Sequence, residues 1–264
     1  GAAGVRVLEA GERDQLLRLK HGLATGGRRV LAVALAESGE CPGTDAKRLA
    51  TWNPYNTNRA AEFFDPGWMF GVTTGFDISI GNPPYVRQEE LKNRTVLDSE
   101  GKEKPLKEVL KVQYECFTGT ADLYVYFFER SFQLLRTGGV LSFITSNKYF
   151  RAAYGERLRT YLVYATYPRM ILDFGDSPVF AAVAYPCIFV GQKIRHINKG
   201  DLPNPEEFKL AGRVKQLLAD PNRTFRVLTW TPGPPIREFP VIFEEQAGTL
   251  SQRELKPDGW RLES

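Results

Sequence analysis

The sequence predicts an α/β protein built on a mostly parallel sheet. Three observations carry that expectation. Strand-type runs occur at Phe76–Ile80, Val140–Thr145, Met170–Phe174 and Tyr185–Val190. Helix-type stretches lie among them, at Ala121–Leu135 and Glu156–Tyr164. Glycine marks the changes of period, Gly138-Gly139 foremost. Strands alternating with helices indicate a parallel sheet, because parallel neighbours need a crossover between them.

Taken in order, Val5 to Trp52 reads as two helical pieces, with Leu16, Leu17, Leu19 and Leu23 forming an imperfect apolar stripe. Gly26-Gly27 and Cys41-Pro42-Gly43 interrupt it. From Trp52 to Gly71 the composition turns to Asn, Pro, Gly and rings, including Phe63, Phe64, Trp68 and Phe70, as in an ordered but irregular segment. Phe76-Asp77-Ile78-Ser79-Ile80 alternates like a strand and runs straight into Gly81-Asn82-Pro83-Pro84-Tyr85. Residues 93–111 are charged and punctuated by Gly and Pro, which predicts a mobile surface excursion. The helix that follows places Tyr124, Phe127, Phe128, Phe132 and Leu135 on one broad face, a core stripe ended by Gly138-Gly139. Beyond residue 200 the pattern fades into polar sequence with Pro232, Pro234, Pro235 and Pro240. The expected organisation is a helical segment at 1–51, a catalytic region at 52–192, and a linker opening into a further module at 193–264.

Composition narrows the functional classes. The chain has 264 residues, 42% apolar and 25% charged, ordinary values for a folded domain that exclude wholesale disorder. No apolar run approaches the ~20 residues of a spanning helix. The first residues lack the order of a signal peptide, which predicts a cytoplasmic protein. Cys41, Cys116 and Cys187 are odd in number and far apart, against a disulfide framework or a zinc site; Cys116 and Cys187 read as ordinary buried thiols. With His21 and His196 the only histidines, a Ser-His-Asp hydrolase or His-rich metal centre is not expected. The net charge of +4 permits a polyanionic partner without requiring one.

The segment that carries chemistry is Asn82-Pro83-Pro84-Tyr85, at a predicted strand end, where open α/β sheets bind ligands. An exocyclic amine on a nucleobase is a poor nucleophile, because its lone pair is delocalised into the ring. The Asn82 amide oxygen and the Pro83 carbonyl can each accept one of its N–H bonds and favour a pyramidal nitrogen aimed at an electrophilic methyl group. The two prolines fix φ and bias the residues before them to extended backbone. Tyr85 offers a flat face for an extruded base.

Gly-Asn-Pro-Pro-Tyr after Phe-Asp-Ile-Ser-Ile resembles the catalytic motif of amino-methylating, S-adenosylmethionine-dependent DNA methyltransferases. FFDPGWMFGVTTGFD before it, VRQEELK after it, and the later TGTADLYVYFFERSFQLLRTGGVLSFITSNKYFRAAYGERLR and ILDFGDSPVFAAVAYPCIFV are similar to the adenine-specific methylases of restriction–modification systems, type IIG enzymes included. The likeness covers roughly residues 52–191, in order and spacing. It implies a Rossmann-like fold, S-adenosylmethionine as cofactor and double-stranded DNA as partner. It further implies that Asn82 and Pro83 hold the target amine, Pro84 shapes the turn, and Tyr85 and Phe180 stack on the flipped adenine. Arg87, Asn147, Lys148 and Arg151 would then lie towards the DNA, and the stretch from about Ile194 through Asp258-Gly259-Trp260 would lead into target recognition.

One departure matters. The family's Gly-rich cofactor loop and the acidic residue for the ribose are not found. Val7-Leu8-Glu9-Ala10-Gly11-Glu12 echoes only the start of such a loop, and Gly26-Gly27 stands in the wrong context. The reading is a catalytic half, with the cofactor half in the remainder of a longer polypeptide or in a partner subunit. Methylation of RNA guanines or of a glutamine amide, which uses the same tetrapeptide, stays open, as does a non-catalytic DNA-binding role. Lys193, Arg195, Lys199, Arg213, Lys215, Arg223 and Arg226 can follow a phosphate backbone or simply keep the surface soluble.

Overall fold

The computed structural model describes residues 66, 71–97, 102–177, 179–180, 185–204, 220–231 and 233–262. The chain divides into two compact units, Gly1–Gly75 and Phe76–Ser264. The helical pieces expected in Val5 to Trp52 lie outside the described residues. So does the ring-rich segment after them, apart from Pro66 and Gly71.

The second unit opens with β1 (Phe76–Gly81) and α1 (Gln88–Leu91), then the strands β2 (Thr95–Leu97) and β3 (Glu103–Pro105), which lead into α2 (Leu106–Gln113). α3 (Leu123–Leu134), β4 (Leu135–Ser146), α4 (Glu156–Ala165), β5 (Thr166–Asp173) and β6 (Pro186–Lys193) follow. The tail supplies β7 (Thr224–Thr229), α5 (Phe239–Gln246), β8 (Gly248–Ser251), β9 (Leu255–Lys256) and β10 (Gly259–Trp260).

The main sheet has six strands in the order β1-β4-β6-β5-β7-β8. β1 pairs parallel with β4 and β5 with β7, while β6 lies antiparallel between β4 and β5, and β8 antiparallel to β7. β1, β4, β5 and β7 therefore run one way and end at one edge, where β6 begins. β6 reverses because the stretch before it makes no crossover: Phe174 N–H donates to the Pro186 carbonyl at 3.0 Å, so the chain turns back beside the strand it has just left.

Sequence and structure differ at several elements. The excursion at 93–111 is in its described part a β2–β3 hairpin and a helix: Thr95 faces Pro105, and Leu106 N–H donates to the Arg94 carbonyl at 2.8 Å. Charged side chains conceal a pairing carried by the backbone. Gly138-Gly139 does not end α3 but lies inside β4, where the β1 register shifts. Gly138 has φ +84°, and a Cβ on Gly139 would sit 2.9 Å from the Phe76 carbonyl oxygen, so neither position tolerates a side chain without a shift. On α3, Tyr124, Phe128 and Phe132 are buried at i, i+4 spacing, but Phe127 is 41% exposed. In β1, Ile78 and Ile80 are exposed, on a strand that among the described residues pairs only with β4.

The tail was expected to lead out of the domain, yet β7 and β8 extend its sheet. Trp260 is buried against Phe150, Tyr149 and Phe189, with ring centroids 5.6, 5.6 and 6.3 Å away. Arg159, also buried, donates to the carbonyls of Tyr149 and Pro257, both at 2.6 Å, and of Ala152 at 2.9 Å. It thereby joins the tail to the core beneath the strand ends. Among the described residues no helix is long and apolar enough to cross a membrane.

Candidate active site

Asn82 to Tyr85 leave the end of β1, and β4 and β5 end at the same sheet edge, at Ser146 and Asp173. Asn82 and Pro84 are exposed and Pro83 is buried. Tyr85 is 38% exposed, and its ring centroid lies 6.0 Å from that of Phe180, with the planes tilted by 59°. Two rings separated by 95 residues of sequence thus meet at the strand ends, tilted rather than face to face. The gap is slightly narrower than the roughly 7 Å of a base sandwiched at ~3.4 Å on either side.

Partial burial and the neighbouring Cys187 thiol push the Tyr85 phenol up to about 12. It stays protonated at neutral pH and presents an uncharged ring. Cys187 belongs to the floor of the site together with Tyr149 and Tyr124; all three are buried, and burial holds each in its neutral form, far above its ordinary pKa.

The chain after Tyr85 is fixed from α3. Leu123 N–H donates to the Val86 carbonyl at 3.0 Å, and Gln88 N–H to Asp122 Oδ1 at 3.1 Å. The other Asp122 oxygen accepts from the Tyr154 hydroxyl at 3.2 Å, which in turn lies 2.9 Å from the Tyr124 hydroxyl. Asp122 stands at the N-cap of α3, yet its side chain makes no cap bond there. Its carboxylate braces the turn after Tyr85 instead. The loop bearing Phe180 is braced from β5: Asp173 Oδ1 accepts from Asn147 Nδ2 at 2.8 Å and from Gly175 N–H at 3.0 Å.

Asn147, expected on the DNA side, is half-buried and gives one of its side-chain N–H groups to Asp173. Arg87, Lys148 and Arg151 are exposed, the first just beyond the Tyr85 turn and the others in and beside the short 3-10 helix Asn147–Phe150 after β4. Asp122, Tyr154 and Asp173 were missed by sequence reasoning. Asp173-Phe174-Gly175 has the spacing of an Asx turn closed by a glycine, a signal that was readable. Asp122 had no comparable signal, because its partners lie 34 and 32 residues away.

Chemically, the edge offers one side-chain amide oxygen and one backbone carbonyl, flanked by two rings. Among the described residues, Asp122 and Asp173 already hold protein N–H and O–H groups, and Asp176 is exposed on the loop after β5. Acceptors of this kind fit a methyl donor that arrives already activated, as a sulfonium does. Asp77, near the start of β1 and away from this edge, is bonded to Arg136 Nε at 2.6 Å.

The Eco57I restriction-modification methylase family model matches residues 31–180. The type II methyltransferase M.PaeR7I of Pseudomonas aeruginosa is 32% identical over 117 residues, covering 44% of this chain and 18% of the relative. The type II restriction enzyme and methyltransferase RM.Eco57I of Escherichia coli is 29% identical over 124 residues, covering 47% of this chain and 12% of the relative. Among solved structures, the type IIG restriction endonuclease BpuSI aligns with 70% of this chain and 20% of its own, at 15% identity and a TM-score of 0.42. The chain therefore spans less than a fifth of the curated relatives named here.

Proposed function

This chain belongs to the Eco57I restriction-modification methylase family, and from that premise we propose that it forms the target-amine half of a DNA methyltransferase acting on the exocyclic amine of a flipped adenine. The observation that supports this most is the pairing of the Asn82-Pro83 acceptors with the neighbouring rings of Tyr85 and Phe180 at the same strand ends.

The Asn82 Oδ1 and Pro83 carbonyl oxygens accept the two N–H bonds of the amine and draw its lone pair out of conjugation. Tyr85 and Phe180 hold the base by its two faces after it leaves the duplex. Admitting a base requires the rings to part by about 1 Å and swing towards parallel. S-adenosylmethionine supplies the electrophilic methyl group. Pro84 limits the freedom of the turn, so the acceptors are oriented before substrate arrives. The proton released from nitrogen passes to water. Arg87, Lys148 and Arg151 are placed to meet backbone phosphates around the extruded nucleotide, and their loss should reduce DNA affinity and its salt dependence.

The test is incubation of the purified full-length protein with radiolabelled S-adenosylmethionine and plasmid DNA, followed by hydrolysis to nucleosides. Label on N6-methyladenosine's deoxy counterpart supports the reading. Label on RNA or protein alone, or on no polymer, overturns it.

A further inference from the structure

The Phe180 ring stands on a short chain of turns that begins at one carboxylate. Gly175 has φ +54°, a left-handed conformation suited to glycine, and its N–H donates to Asp173 Oδ1 at 3.0 Å. Ser177 N–H then bonds the Phe174 carbonyl at 3.0 Å, and Val179 N–H the Ser177 carbonyl at 2.8 Å, which delivers the chain to Phe180. The same Asp173 oxygen accepts from Asn147 Nδ2 at 2.8 Å. Asn147 also reaches the start of β6: its backbone N–H donates to the Tyr185 carbonyl at 2.8 Å. Tyr185 has φ +44°, a conformation costly for an aromatic residue and maintained only where its surroundings fix it. A third bond, Trp230 N–H to the Asp173 carbonyl at 2.7 Å, anchors the aspartate's own backbone to the end of β7.

Asn147 thus brackets the end of β5 and the beginning of β6, one with its side chain and the other with its main chain. The side-chain bond is charge-assisted, and such bonds are roughly twice as strong as neutral ones. Neither side chain is needed to pair strands, because β4, β5 and β6 already pair through their backbones. What the bracket does fix is where the turn after β5 departs, and hence where the Phe180 ring lies relative to Tyr85.

We propose that Asn147 and Asp173 are positioning residues that set Phe180 against the target base. The inference rests on the methyltransferase reading for its consequence, though the bracket itself can be observed without substrate.

Four forms of the full-length protein test it: Asn147→Asp, the exchanged pair Asn147→Asp with Asp173→Asn, Phe180→Ala, and Asn147→Asp combined with Phe180→Ala. Each is followed by hydrogen exchange of residues 174–180 and by methylation kinetics on DNA. Asn147→Asp sets two carboxylates face to face. It should speed exchange in 174–180 and raise KM for DNA about tenfold, the loss of roughly one base-stacking contact, with kcat within about twofold. The exchanged pair restores one donor and one acceptor and should recover both readouts. In the Phe180→Ala background the aspartate should add almost nothing, since both changes remove the same interaction. Unchanged exchange overturns the proposal, as does an exchanged pair no better than the single variant, or full additivity with Phe180→Ala. A wild-type protein that methylates no DNA overturns the functional reading instead, and that result is visible before any variant is made.

Discussion

Two aromatic clusters lie one above the other at the strand ends, built from the same residue types and put to opposite uses. In the floor, Phe128 and Tyr149 are fully buried and meet Phe143, Phe189, Phe150 and Trp260 mainly edge to face, at centroid distances of 4.7–5.8 Å. Above them, Tyr85 and Phe180 leave their faces tilted and only partly covered. The ring geometry itself is alike, 6.0 Å and 59° for the upper pair against 5.2 Å and 60° for Phe128 and Phe143, so exposure is what separates the two: Tyr85 is 38% exposed and Phe128 fully buried. Bracing differs too. The floor rings are held by one another, and the upper pair by two carboxylates, Asp122 and Asp173, that bind backbone N–H groups at a distance. An aromatic ring serves as a binding surface where polar contacts, rather than other rings, fix its position.

That contrast can be broken first at the floor. Phe128→Ala should destabilise the protein by about 3–5 kcal/mol, because the cavity cannot collapse among so many rings. Urea unfolding measures it, and a loss below about 1 kcal/mol would show the floor to be loosely packed. Asn82→Ala should act the other way round. Methyl transfer should fall about 10²–10³-fold, the scale seen when one hydrogen-bonding group is removed from around a developing charge, while stability and DNA affinity hold. A near-normal rate would remove Asn82 from the chemistry.

Phe180→Ala sharpens the comparison, since it should weaken productive binding of the base by about 1–3 kcal/mol while shifting unfolding by no more than roughly 0.5 kcal/mol. Equal losses in stability and binding would place Phe180 with the floor. The smallest effect per group is alkaline. Burial raises the pKa of Tyr124, Tyr126, Tyr149 and Tyr161 in the folded protein, so above about pH 10 the unfolded chain releases phenolic protons that the folded chain retains. Stability is full below that pH and falls as pH rises, by about 1.4 kcal/mol per pH unit for each such tyrosine. Replacing Tyr161 by Phe should flatten the slope by that amount, and an unchanged slope would show that its phenol is not held protonated by the fold.

Much of this arrangement was legible in the sequence. Alternation at Phe76–Ile80 and the Asn-Pro-Pro-Tyr turn after it located β1 and the strand end, because backbone period and proline geometry are local properties. The direction of β6 was not legible: a buried strand reads the same whichever way it runs, and only the turn-back at Phe174 and Pro186 decides it. β7 and β8 were hidden by proline-rich sequence that suggested a linker, although Pro235 precedes a 3-10 turn and Pro240 sits in the first turn of α5, within a connection of the sheet. The bracing carboxylates escaped for a related reason. Asp122 carries no motif and is defined by partners brought close by the fold, whereas Asp173 has a local glycine turn but takes its Asn147 partner from 26 residues away.

The central claim is that the two acceptors and two rings at this edge receive adenine from DNA. Modified-base sequencing of DNA from a methylation-deficient host that expresses the full-length protein tests it most directly. N6-methyladenine at one recurring sequence, lost with Asn82→Ala, is the predicted result. Unmodified DNA in the presence of abundant soluble protein would contradict it.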